Sequence, residues 1–294
     1  MAAIALILLF FIFLFGFIAI ITNLTLLHGT FISKKLKKQP SLTMFYVRFG
    51  LDIFLAFSHM LTNIFTVLKT LNLIDSYNPY LIHIFWINFS IQCAMATRGT
   101  LVIIITLDRT LAVFSPIFHH NYRERLPNFG LISFLLFLPI WNNFYLWVIC
   151  EFHCVFESGC IEFLCMMGSC YGGYAYNFEL VAHLIILLTS LALAVKLFVW
   201  NNFKTGAKSK DIERANYLAL MDVAIIIVFD LIPILFAPKL AEIEDLQPVF
   251  GMCRVGGYAF EAFLVRRVLR RRNDIRAPSS VRLSGARLST VQIH

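Results

Sequence analysis

Apolar residues run along this chain in long unbroken stretches, with little of the alternation or single-faced striping that marks a soluble protein. Ile4 to Leu27 carries no charge, and further stretches follow at 44–68, 81–107, 128–150, 178–199, 215–237 and 248–265. Each is apolar around its whole circumference, the pattern of a helix surrounded by lipid and by other helices. Each is also near or above the roughly 20 residues that cross a bilayer. The pattern predicts an all-α membrane protein, a bundle of seven transmembrane helices within residues 1–272. Residues 273–294 form a Ser- and Arg-rich tail with too little apolar surface to pack, predicted to be disordered. The first stretch is too long and too poor in basic residues at its start for a signal peptide. The seventh, holding Arg254 and Glu261, is the weakest.

Composition agrees. Of 294 residues, 59% are apolar and 14% charged, where a soluble domain averages about 25% charged. The net charge of +8 changes the picture only through its placement. With the N-terminus extracellular, nineteen of the 25 basic residues fall in the cytoplasmic loops and tail, and only Lys69 and Lys239 in outer loops. That asymmetry sets the orientation and excludes a nucleic-acid-binding reading, which needs a basic stripe on a soluble fold.

Five of the seven cysteines, Cys150, Cys154, Cys160, Cys165 and Cys170, lie in or beside the loop after the fourth span. The topology puts that loop outside, where disulfides form, and the spacings fit no paired Cys-x2-Cys zinc pattern. Cys154, Cys160, Cys165 and Cys170 are the disulfide candidates, with their pairing open, and Cys150 at the membrane edge is read as the spare thiol. Asn88-Phe89-Ser90 has the form of a glycosylation acceptor but falls inside a span.

Charges within spans are costly and are functional hypotheses by default. At about 1.5 Å per residue, Asp52 and Arg98 sit at matching depth, roughly 12 to 14 Å from the inner edge, and an ion pair between them keeps both charged. Arg48 and Glu261 match in the same way, and Arg254 has Asp52 or Asp230 within reach. Two readings stand side by side: structural staples or parts of a switch. Arg48 and Lys196 have the further option of snorkelling to the headgroups.

The third span ends in Asp108-Arg109-Thr110-Leu111-Ala112-Val113, with Pro116 and Ile117 following. This stretch resembles the Asp-Arg-Tyr-Leu-Ala-Val-x-x-Pro-Leu segment of rhodopsin-like G-protein-coupled receptors. The resemblance implies that architecture and an activation switch at Asp108 and Arg109, with Pro233 as the kinking proline of the sixth helix. Counting back twenty residues from Pro233 gives Glu213 as the acid that latches Arg109, or else as a solvated loop acid. Asn23 and Asp52 resemble the paired Asn and Asp of the first two helices. The chain departs from that pattern in lacking the Asn-Pro-x-x-Tyr of the seventh helix, the aromatic before the sixth-helix proline, and a cysteine at the top of the third helix.

Read whole, the chain is similar to the nematode serpentine chemoreceptors, and within them to serpentine receptor class BC. The stretches that carry this are Pro40 to Asp52, Arg98 to Tyr122, the cysteine-rich loop, Lys196 to Lys204, Ala215 to Asp222, and Glu261 to Arg267. The resemblance implies a multi-pass chemosensory receptor of the plasma membrane, at the cilium of a sensory neuron, signalling through a heterotrimeric G protein. Its ligand is an unknown small molecule, for which the polar residues of the outer half, His83, Asn88, Gln92, Glu179, His183 and Asp230, are candidates. Each has the plainer reading of a bond to a neighbouring helix.

Phe118, Tyr122, Arg123, Lys208 and Lys210 are candidate contacts for the G protein, though a basic loop is also explained by the lipid surface it faces. The arginines from Arg266 onward are expected to form a short amphipathic helix on the inner leaflet. A transporter would show repeated halves with broken helices, and a ligand-gated channel of inverted seven-helix type would need the opposite orientation. No enzyme motif, cofactor loop or metal-ligand set is present in the sequence.

Overall fold

The computed structural model describes residues 2–32, 43–71, 73, 78–123, 128–153, 163–203, 220–221, 223–240 and 248–276. Among the described residues all regular structure is helical, as a chain in hydrocarbon requires, because every backbone N–H and C=O must find its partner within the segment. Helix α1, Ala2–Leu27, runs into a π turn at His28–Ile32. Helices α2, Thr43–Thr70, and α3, Leu81–Phe114, follow, then the short α4, Pro116–Arg123. Helix α5, Asn128–Phe144, continues through a π turn at Tyr145–Ile149, and α6 spans Phe163–Phe203. The sixth span passes through a π turn at Ile227–Leu231 into α7, Ile232–Leu240, and α8 is Pro248–Arg276.

Five helices are long and apolar enough to cross a membrane, and the sixth span contributes a shorter apolar stretch, Val223–Phe236. The seventh, α8, is a continuous helix whose apolar run is interrupted by Arg254 and Glu261. The fold is thus a seven-helix bundle. Helix α3 lies at its centre, against α2, α5 and α6, while α1 packs between α2 and α8. Large apolar side chains such as Phe10, Phe17, Phe134 and Leu188 point outward; in water they would be a liability, but lipid is their solvent.

The fifth span begins well before the predicted residue 178. Gly168, Gly172 and Gly173 are poor helix formers, yet Met166, Met167, Tyr171 and Ala175 are buried against Phe85, Phe89 and Leu146, and that packing outweighs the poor propensity of glycine. The helix breaks once, at Gly168, whose φ of 72° lies in the region open to a residue without a Cβ.

This early start also corrects the cysteine reading. Cys150 is bonded to Cys170, because α6 sets Cys170 beside the end of α5. Cys154 and Cys160 lie outside the described residues, as does the side chain of Cys165. Helix α8 runs on through Arg276 without a break, so the arginine-rich stretch up to that residue extends the seventh span and is not a separate helix.

Pro233 is buried just beyond the Ile227–Leu231 π turn. Its ring has no N–H for the carbonyl of Phe229 and presses against it, and the wider turn accommodates the defect. Helix α8 comes close at the same level. A Cβ on Gly257 would lie 2.8 Å from the Cβ of Phe229, so only glycine admits this approach.

Candidate functional site

Five ionisable side chains from four spans meet in the middle of the bundle. Arg98 of α3 is the hub. Its Nε donates to Asp52 Oδ1 of α2 at 2.7 Å, its Nη1 to Asp230 Oδ2 of the sixth-span π turn at 3.1 Å, and its Nη2 to Glu261 Oε2 of α8 at 3.3 Å. Arg48 of α2 donates to the same Glu261 oxygen at 2.6 Å. All five residues are buried, Arg48 completely, so Arg48 does not reach the headgroups. The ring of Tyr258, one turn before Glu261, lies under the Arg98 guanidinium with its centroid 4.6 Å away, a cation–π contact that is strongest out of water. Charges taken out of water survive when they are paired and hydrogen-bonded, and a forked guanidinium can serve several carboxylates at once.

Two turns from Glu261 toward the disulfide end lies a second pair. Arg254 Nη2 donates to Glu179 Oε1 of α6 at 2.7 Å. Neither Asp52 nor Asp230 is its partner, which corrects the sequence expectation. The pairing was hidden by the misplaced start of the fifth span, which left Glu179 at a helix end. Arg254 Nη1 points at the thioether of Met95, 2.9 Å away. His183 of α6 binds the Glu179 carbonyl through Nδ1 at 2.7 Å, and its Nε2 is 4.0 Å from Asp230.

Of the other candidates for ligand contact, Asn88 and Gln92 are buried on α3. Asn88 Nδ2 donates to Met166 Sδ at 3.6 Å and its Oδ1 accepts from Thr62 at 3.4 Å. His83 is exposed on the outer face of α3, apart from the rest. Asn23 is fully buried, and neither of its side-chain polar atoms has a hydrogen-bond partner among the described residues. It is therefore not bonded to Asp52, which Arg98 holds instead.

At the opposite end of α3, Arg109 Nη2 lies 3.1 Å from Asp108 Oδ2. The other carboxylate oxygen, Oδ1, is 3.2 Å from His119 Nε2 of α4. The position of His119 after Pro116, at the start of a helix folded back on α3, is what brings it to Asp108. Phe118 on α4 is exposed. Glu213, Lys208 and Lys210, and the side chains of Tyr122 and Arg123, lie outside the described residues. No group of three or more potential metal-ligating side chains occurs among the described residues.

A bundle of seven apolar helices with charges paired at its centre and an Asp-Arg step closing the third helix has the architecture of a seven-transmembrane receptor. The family model described as "Serpentine type 7TM GPCR chemoreceptor Srbc" matches residues 1–273, and the chain belongs to that family. Among curated proteins nothing matches it.

Proposed function

We propose that the chain is a chemosensory receptor of the plasma membrane that takes a small molecule between its helices at the disulfide end and signals to a heterotrimeric G protein at the other. The observation that carries the reading is that α3 bears both Arg98 and Arg109 on one unbroken helix, about 16 Å apart along its axis. A ligand that shifts α2, α6, α8 or the sixth span must rearrange the pairs around Arg98, and α3 transmits that change to Asp108 and Arg109. The shift can be no larger than the ligand's differential affinity for the two arrangements.

The excess of basic residues on the Arg109 side supports an extracellular N-terminus and a cytoplasmic Arg109. In this reading residues 1–272 are the receptor unit, 273–294 its tail, and Glu213 the further latch on Arg109. Phe118, Tyr122, Arg123, Lys208 and Lys210 contact the G protein, and the receptor's station is a sensory cilium. The test is expression of the full chain with a panel of G-protein α subunits, a ligand screen read by second-messenger change, and Arg109→Ala as control. A ligand response that Arg109→Ala abolishes supports the reading; ionic current or solute uptake that needs no G protein overturns it.

A further inference from the structure

Two buried side-chain nitrogens without a hydrogen-bond partner among the described residues, one on α8 and one on α2, lie between the Arg98 cluster and the disulfide end. Arg254 spends only Nη2 on Glu179; its Nη1 faces the Met95 sulfur, and its buried Nε has no partner among the described residues. His59 of α2 stands at the same level, since its neighbour Met60 and the neighbour of Arg254, Val255, both pack where a Cβ on Gly16 of α1 would lie, and its buried Nε2 has no partner among the described residues either. Thioethers are weak acceptors, and a guanidinium buried beside one is far from its best arrangement. A methionine side chain is flexible enough to swing aside for a better acceptor.

Charge selects among possible acceptors. Glu179 already matches Arg254, while Arg48 and Arg98 face Asp52, Asp230 and Glu261, so by formal count these three arginines meet four carboxyl groups and no cation is left over for an anion. An anion would add a further negative charge in a low-dielectric setting, at a high cost. A cation would meet donors. The molecule that fits is uncharged and carries an acceptor oxygen. Met95 packs against the buried cluster of Ala19, Leu55, Ile91, Ala94 and Tyr258, so the rest of that molecule meets apolar surface.

We infer that Arg254 and His59 form the polar end of the ligand site, and that its ligand is a neutral carbonyl compound with an apolar body, its oxygen replacing the Met95 sulfur on Arg254. This rests on the receptor reading for its purpose, but its test does not need signalling. The full chain in lipid nanodiscs is titrated with tritiated methyl pentyl ketone, empty nanodiscs being subtracted, and heptanoate, heptylamine and heptane are tried as competitors. Saturable binding is expected that none of the three displaces. Arg254→Lys, which keeps a cation for Glu179 but loses the forked donors, should weaken it tenfold or more. Met95→Leu, which removes the competing sulfur with little change of volume, should tighten it severalfold, and it decides the matter if Arg254→Lys does not fold.

No saturable ketone binding, displacement by heptanoate, or affinity unmoved in the folded variants would overturn the inference. Ketone binding without a second-messenger response would leave the site standing and sink the receptor reading. Signalling evoked by heptanoate or heptylamine alone would do the reverse.

Discussion

Replacing Arg98 by methionine should be the most damaging single change in the bundle. The guanidinium bonds three carboxylates from three different spans, at 2.7, 3.1 and 3.3 Å. Methionine fills much of the same volume, so the loss is electrostatic. Asp52 and Asp230 would keep no cationic partner among the bonds described, while Glu261 would keep Arg48 at 2.6 Å. Removing one member of a buried pair costs about 3–5 kcal/mol, and here two acids are stranded. Against a total stability of about 5–15 kcal/mol, Arg98→Met should leave little folded receptor at the cell surface.

The control is R98M/D52N/D230N, which removes the stranded charges together and should recover most of the loss, leaving only imperfectly satisfied amides at about 1–3 kcal/mol. A plain exchange of charges, R98D/D52R, should not rescue, because a carboxylate at position 98 would then face Asp230 and Glu261. Thermal melting of the purified chain in detergent, together with the fraction reaching the surface, reads all three. If R98M melts within a degree of wild type, or the exchange rescues as well as neutralisation does, Arg98 is not the hub described.

The other predictions are smaller in scale. Cys150→Ser and Cys170→Ser should each lower stability by about 3 kcal/mol, the loop-closure value for a bridge across 20 residues, and the double variant should melt no lower than either; additive losses in a melting series would contradict the pairing. Gly257→Ala should cost about 1–3 kcal/mol through overpacking, and Phe229→Leu should not relieve it, since the 2.8 Å contact is to the Cβ that leucine also has; recovery of the melting temperature in that double variant would refute the geometry. Asp108→Asn weakens the hold on Arg109, a contact near the bundle end worth about 1 kcal/mol, so basal second-messenger output should rise up to about fivefold, and an unchanged baseline in a normally expressed variant would show that Asp108 does not restrain Arg109.

How much of this was legible in the chain depended on what each residue answers to. Membrane spans answer to hydrophobic length, a one-dimensional property, and α1, α2, α3 and α5 follow their apolar runs. The fifth span answers to tertiary burial, and Gly168, Gly172 and Gly173 conceal it: the residues that make 163–177 helical are Met166, Met167 and Tyr171 pressed on α3 and α5, a neighbourhood no local pattern carries. One error then spread. A loop in place of a helix left Cys150 without its partner and put Glu179 at a helix end, out of view of Arg254. Depth matching placed Asp52 level with Arg98 and Arg48 level with Glu261, because only the rise per residue is needed. It could not say that the acids converge on one guanidinium, since azimuth around a helix depends on local winding, and the π turn at Ile227–Leu231 alters it just where Asp230 stands.

Such a cluster is an odd way to hold a membrane bundle together. Buried ion pairs are often no more stabilising than well-packed apolar side chains, and this chain has no shortage of those. The cluster does confer discreteness. A methyl group sliding past another loses contact gradually, whereas a carboxylate withdrawn from Arg98 must be replaced, rehydrated or protonated, so intermediate positions of α2, α8 or the sixth span are poorly populated. The π turn beside Pro233 already departs from α-helical winding in the sixth span, and Glu261 already divides one oxygen between Arg48 and Arg98, with its other oxygen unpartnered among the described residues. An interior held by exchangeable pairs around one central helix has a few well-separated arrangements, and the proposed receptor needs that property more than it needs the last increment of stability.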